Sequence, residues 1–299
     1  MSLRLEGLRL FLRAVVRPRL ARTVEPGAAR RDFLRGAALL PAPPFLLCLP
    51  GPIGHRITAG PVREDAVILW FQGGAYVAGA PATHTAMLGR LSRLSRLAVV
   101  APDYRKAPEH PAPAAFEDAV AAHAGLIAQG WAPGQIVLGG DSAGGGLALA
   151  LLADLCARGL WPAAVITFSP WTDLTLGGAS LRQFARTDPL LPAERLAEAV
   201  ALVRGALDLA DPRLSPLFAR FDSPPPVLIQ VGSDEILLDD ARRMAARLQA
   251  AGGAVTLQDI RRAPHVWQMF DGYIPEARAA LRAAARFAVD HAGAPVTSR

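Results

Sequence analysis

Short apolar runs recur along the chain with amphipathic stretches between them. Residues 66–71, 97–101, 136–139, 164–168, 227–231 and 255–260 are brief and rich in Val, Ile or Leu. Residues 83–96, 114–129, 143–158, 239–251 and 275–291 carry helical spacing instead. Continuous apolar strands alternating with helices predict an α/β fold whose mostly parallel sheet is buried on both faces. Two stretches break that rhythm. Residues 1–24 alternate Leu, Phe and Val with arginine, and Leu5, Leu8, Leu12, Val15 and Val16 fall near helical spacing. That pattern predicts a basic amphipathic helix, packed by its apolar face onto the protein or resting on an anionic membrane surface. Residues 171–226 show no clear strand, only a helix around 193–207 and several prolines. An insertion at that point lies over the C-terminal ends of the strands, where open α/β sheets bind ligands, so it is a candidate lid.

Composition narrows the function classes. At 299 residues, with 52% hydrophobic and 19% charged positions, the chain builds a core. The net charge of +6 invites a nucleic-acid reading, but Lys106 is the only lysine and the chain is rich in Arg, Ala, Gly and Pro. These four residues share G/C-rich codons, and outside the N-terminus the arginines are dispersed among acids. No nucleic-acid partner is therefore expected. Cys48 and Cys156 are too few and too far apart for a disulfide framework or a zinc site. Arg4, Glu6, Arg9 and Arg13 interrupt the first apolar stretch, and five prolines interrupt residues 36–54. The expectation is a cytoplasmic protein with no export signal and no stable membrane insertion.

Gly140-Asp141-Ser142-Ala143-Gly144 stands between a predicted strand and a predicted helix. This is the G-x-S-x-G arrangement in which flanking glycines permit a sharp, strained turn with an exposed serine. A phosphate-binding loop does not fit, because the G-K-[ST] ending and the G-x-G-x-x-G spacing are both missing. A serine nucleophile needs a base, an orienting acid and donors for the oxyanion. Only His265 and His291 follow Ser142, and His291 ends an amphipathic helix. His265, in a loop after the last strand, is the assigned base. Asp234, just past the strand at 227–231, is the assigned acid. Glu235 is its near rival, whereas Asp239 and Asp240 suit the start of the next helix. The Ala143 N–H and the loop Gln72-Gly73-Gly74-Ala75-Tyr76 are candidates to hold the oxyanion.

These residues bring a family into view. The chain resembles the bacterial hormone-sensitive-lipase-like branch of the α/β-hydrolases. The match rests on residues 139–145, on Asp103-Tyr104-Arg105-Lys106-Ala107-Pro108-Glu109-His110-Pro111 and on Ser169-Pro170-Trp171-Thr172-Asp173-Leu174. Gly232-Ser233-Asp234-Glu235-Ile236-Leu237 and His265 complete it. Within the branch it looks most like short-chain esterases and monoterpene lactone hydrolases, through Gly73-Gly74-Ala75-Tyr76 and Pro81-Ala82-Thr83-His84.

The resemblance implies an α/β-hydrolase fold with Ser142, Asp234 and His265 as nucleophile, acid and base. It implies oxyanion donors at Gly74, Ala75 and Ala143, with Gly73 contributing to the loop. It also implies a cap made of an N-terminal segment (residues 1–45) and an insertion at about 172–222 of the catalytic unit 46–299. Asp141 and Glu109 are implied as supports of the active-site loops. Gln72 stands where the family carries a histidine that braces the loop, and Ala75 replaces its last glycine. The expected function is hydrolysis of short- to medium-chain acyl esters through an acyl-enzyme, with no metal or cofactor and a small-molecule ester as partner. Leu190, Leu191, Leu214, Leu217 and Phe218 are expected either to form an apolar pocket or to be lid core. A lactone hydrolase and a catalytically dead binding module are the alternatives, and two copies could pair as a homodimer.

Overall fold

The computed structural model describes residues 2–292; Met1 and residues 293–299, the end of the predicted catalytic unit, lie outside the described residues. Eight strands form one sheet: β1 (Leu46–Pro50), β2 (His55–Ala59), β3 (Arg63–Phe71), β4 (Leu97–Ala101), β5 (Ile136–Asp141), β6 (Ala164–Phe168), β7 (Val227–Gly232) and β8 (Val255–Ile260). Their order is β1-β2-β4-β3-β5-β6-β7-β8. All pairs from β4 to β8 are parallel, while β1 and β2 join antiparallel at one edge. The six predicted strands are all present. β1 and β2 escape a reading by apolar runs because β1, at the sheet's edge, has three exposed positions and ends in Pro50, and β2 opens on the polar pair His55-Arg56.

Before the sheet come α1 (Leu3–Phe11), α2 (Arg17–Arg22) and α3 (Pro26–Ala37), with a π-helical turn at Leu12–Val16 joining the first two. Within the sheet region lie α4 (Pro81–Ser95), α5 (Ala114–Ala128) and α6 (Ala143–Ala157). Between β6 and β7 come α7 (Ala179–Gln183) and α8 (Ala193–Val203), and no strand lies among residues 172–226. The chain closes with α9 (Leu238–Ala250) and α10 (Pro275–His291).

Alternation along β3 divides the core. Leu69 and Phe71 face α5, α6 and α9, whereas Ile68 and Trp70 face α4 and α10. α6 is apolar nearly all round because it is buried nearly all round. A third cluster sets Leu5 of α1 against Trp267, Ile274 and Ala277. The N-terminal helix therefore does pack by the face that carries Leu5 and Leu12.

The sheet's direction of winding reverses at β3. From there the chain goes to β4 on one side and then to β5 on the other, so β3 and β5 flank the switch point. Phe71 pairs with Gly140, which brings the loop after β3 and the turn after β5 side by side. Segment 172–226 is tied to the main body at its start. The Asp240 carboxylate on α9 accepts the Thr172 and Asp173 N–H groups at 2.8 and 2.9 Å. Asp240→Ala strands these two buried donors and is expected to cost about 1–3 kcal/mol. The check is a lower urea midpoint with an unchanged denaturant slope.

Candidate active site

Ser142 stands between β5 and α6 with φ 53° and ψ −123°, a region that non-glycine residues avoid. The strain is held by the backbone around it. The Ser142 N–H donates to Phe168 O at 2.8 Å, and its carbonyl accepts N–H bonds from Gly146 and Trp171. Gly144 lets this turn meet β3. A Cβ there would lie 2.0 Å from the Phe71 carbonyl oxygen.

The loop after β3 continues the strain. Gly74, Ala75 and Tyr76 have φ of 131°, 56° and 59°, a run of positive-φ backbone that only glycine adopts without strain. The position where Ala replaces glycine does need a left-handed backbone. Among the described residues, the N–H groups of Gly74, Ala75 and Ala143 donate to no acceptor in any turn or loop. Gly73 differs: its N–H donates to Asp141 Oδ2 at 3.1 Å, so it braces the loop and is not free for an oxyanion. A Cβ at Gly73 would fall 2.4 Å from the same oxygen and 3.0 Å from Ser142 Cβ.

The Asp141 carboxylate gathers further groups. Trp70 Nε1 donates to Oδ1 at 3.0 Å, and His84 Nε2 lies 3.0 Å from Oδ2. Both Asp141 and His84 are buried. Gln72, by contrast, makes no side-chain bond; its amide oxygen and nitrogen are both sealed without a protein partner. Its carbonyl accepts the Tyr104 hydroxyl at 2.7 Å. Outside the loop, Arg30 of α3 donates to the Val77 and Ala107 carbonyls and pairs with Glu109. Asp141 and Glu109 thus support the active-site loops, as the resemblance implies. Nothing in the sequence spacing of His84 and Asp141 signals their contact.

The assigned acid requires correction. Glu235, not Asp234, meets His265: its Oε2 lies 2.7 Å from His265 Nδ1. Glu235 is fully buried, and its Oε1 accepts the Ser169 hydroxyl and the Gly232 N–H, both at 2.7 Å. Ser169 in turn accepts the Val266 N–H, so it links the acid's turn to the base's loop. Asp234 points the other way. Its side chain is partly exposed and bonds Arg9 Nη2 at 2.9 Å and the Ser233 hydroxyl at 2.6 Å. Neighbouring side chains in a turn diverge, and a sequence shows that one of the pair faces inward without showing which.

Burial pushes the His265 imidazole down, but the charge and hydrogen bond of Glu235 outweigh it, with Asp188 and Asp141 adding to the effect. The net shift is upward. Asp188, fully buried in segment 172–226, accepts N–H bonds from Leu190 and Leu191 and, at 2.9 Å, from Ile236 beside the acid. Its own carboxyl is raised by burial and by the Glu235 charge. No local sequence pattern marks Asp188, because its proximity to Glu235 exists only once the chain folds.

Arg9 completes the frame from the N-terminus. Its Nη1 donates to the Arg262 carbonyl at 2.6 Å while Nη2 holds Asp234, so one guanidinium ties the acid's turn to the base's loop. Of the apolar residues expected in the lid, Leu214 and Leu217 are buried in the main core and Leu191 packs against it, whereas Phe218 is exposed. Among the described residues no cluster of His, Cys, Asp and Glu has a metal-holding arrangement.

Known proteins with the same features fall into one group. Residues 68–269 match the family described as alpha/beta hydrolase fold. The chain is 39% identical over 246 residues to an acetyl-hydrolase of Streptomyces hygroscopicus, covering 79% of this chain and 82% of that protein. It is 35% identical over 284 residues to an esterase of Acinetobacter venetianus, covering 93% of each. A crystal structure of an esterase from the bacterial hormone-sensitive lipase family superposes with a TM-score of 0.92 at 36% identity, covering 98% of this chain and 99% of that one. Fold, strained serine and relatives agree: the chain belongs to the bacterial hormone-sensitive-lipase branch of the α/β-hydrolase family and is an ester hydrolase.

Proposed function

We propose that Ser142, Glu235 and His265 act as nucleophile, acid and base in hydrolysing short-chain acyl esters. The observation that carries this reading is the 2.7 Å bond between buried Glu235 and His265 Nδ1, which leaves Nε2 as the ring nitrogen available to act as base. His265 Nε2 takes the Ser142 proton as Oγ attacks the ester carbonyl. The N–H groups of Gly74, Ala75 and Ala143 stabilise the tetrahedral oxyanion. Its collapse breaks the bond to the alcohol, which leaves with the proton from His265. Water, deprotonated by His265, then releases the acid from the acyl-enzyme and restores Ser142. Glu235 holds the imidazole's tautomer and stabilises its charged form.

Residues 2–45 and 172–222 act together as the cap. A short acyl group is supported by the likeness to a relative named acetyl-hydrolase.

Ser142→Ala is expected to lower turnover of an aryl acetate by about 10⁴-fold or more, and Glu235→Gln by a similar factor. Asp234→Asn should cost far less, under about tenfold. Near-equal losses for Glu235 and Asp234 variants, measured as kcat, would reject the assignment.

The pH profile gives a second check. A raised imidazole means that activity is lost as pH falls through a midpoint above the ordinary histidine value of about 6.5. Neutralising the carboxylate in Glu235→Gln removes what favours the charged ring, so the residual activity should keep its acid limb to lower pH. Arg9→Ala, which frees the two loops from each other, should reduce kcat by about tenfold with little change in KM. Steady-state kinetics on a soluble ester, with Arg9→Lys recovering part of the loss, would separate this positioning effect from general destabilisation.

A further inference from the structure

The helical run from Leu3 to Arg22 is apolar on two faces, and only one of them is used. Leu5 and Leu12 are buried against the protein. Leu3, Leu10, Phe11 and Val15 remain 91%, 69%, 53% and 54% exposed. With exposed Gly7 and Ala14 they fall at helical spacing along a second stripe. Of the sixteen large hydrophobic residues exposed on the described chain, six lie within the first 24 residues, Leu20 and Val24 being the others. A helix that needed only to pack would not keep so many apolar side chains in water.

Charge is concentrated on the same segment. Residues 1–24 hold six arginines against one acid, Glu6, and so account for five of the chain's six net positive charges. Glu6 is itself engaged by Arg262. Arg9 and Arg19 pair with Asp234 and Asp32. Arg4, Arg13 and Arg22 are exposed and meet no carboxylate among the described residues, which leaves them free beside the apolar stripe. Exposed Leu and Phe flanked by unpaired arginines match the chemistry of an anionic lipid surface, where apolar side chains enter the headgroup boundary and guanidinium groups meet phosphates. A second copy suits this face poorly. A symmetric contact would set the same arginines against each other.

We propose that the exposed face of residues 3–22 adsorbs the protein onto anionic phospholipid bilayers. The helix lies on the surface without crossing it; among the described residues no helix is long and apolar enough to span a membrane. Its opposite face rests on the Asp234 turn and the Arg262 loop, so adsorption would hold the catalytic edge of the sheet close to the lipid.

The full chain can be tested by flotation with vesicles of phosphatidylcholine alone or with about 30% phosphatidylglycerol. Binding to the anionic vesicles only, weakened about tenfold or more by raising salt to about 0.5 M, is the expected result. Leu10→Ser/Phe11→Ser/Val15→Ser and Arg4→Gln/Arg13→Gln/Arg22→Gln should each weaken binding at least about tenfold. Both variants should keep the wild-type urea midpoint and denaturant slope, which shows that they fold. Equal binding to both vesicle types, or unchanged binding by either folded variant, overturns the proposal. So does a wild-type dimer that the apolar variant converts to monomer while neither binds vesicles, which would make the face a contact between copies. The readout is lipid association, so it stands or falls apart from the acyl-ester reading.

Discussion

A single buried carboxylate holds the two halves of the site together. Asp141 ends β5 one residue before the strained serine, and it accepts from Trp70, from the Gly73 N–H and from His84. Burying an ionised carboxylate costs several kcal/mol unless its oxygens are fully engaged. Here every donor comes from β3, the loop after it or the helix that follows. The desolvation cost is therefore offset only when the loop is closed on the elbow. Folding and closure of the loop after β3 become the same event, which is how a backbone with φ near 56° at Ala75 can persist.

The strand and helix pattern was legible because it is local. An apolar run such as 136–139, too short for a helix and bounded by glycine, reads as an interior strand, and the elbow follows from glycine spacing around Ser142. What was not legible depends on direction or on distant partners. Asp234 and Glu235 are equal as carboxylates past a strand end. Their roles part because the turn sends Glu235 beneath His265 and Asp234 out to Arg9. Nothing local marks Asp188, and only packing brings it to the Ile236 N–H. β1 and β2 were missed for another reason. β1 is an edge strand with little burial, where a proline costs few ladder bonds, and β2 is a five-residue strand that opens on His55-Arg56.

The N-terminal segment and the insertion reach the same place from opposite directions. Arg9 grips the outer side of the acid's turn, and Asp188 grips its inner side through the next residue. Glu235 thus sits on a turn clamped by two charged groups from elements remote in sequence. A carboxylate so placed cannot swing away when the imidazole beside it gains a proton, and the second buried negative charge of Asp188 favours that proton further. Positional control and electrostatic support come from the same pair of contacts.

Gln72 bears on how much a family departure means. A histidine-to-glutamine change in a loop that histidine braces would be expected to loosen it, unless the amide took over the bonds. The amide does not: both its polar atoms are buried without a protein partner. Yet the loop is held through its backbone, at the Gly73 N–H by Asp141 and at the Gln72 carbonyl by Tyr104. His84 supplies from α4 the imidazole that the loop itself lacks. Position 72 therefore does not set the geometry of the donors. On the proposed assignment the N–H groups of Gly74, Ala75 and Ala143 receive the oxyanion, because those are the groups that the bracing leaves free.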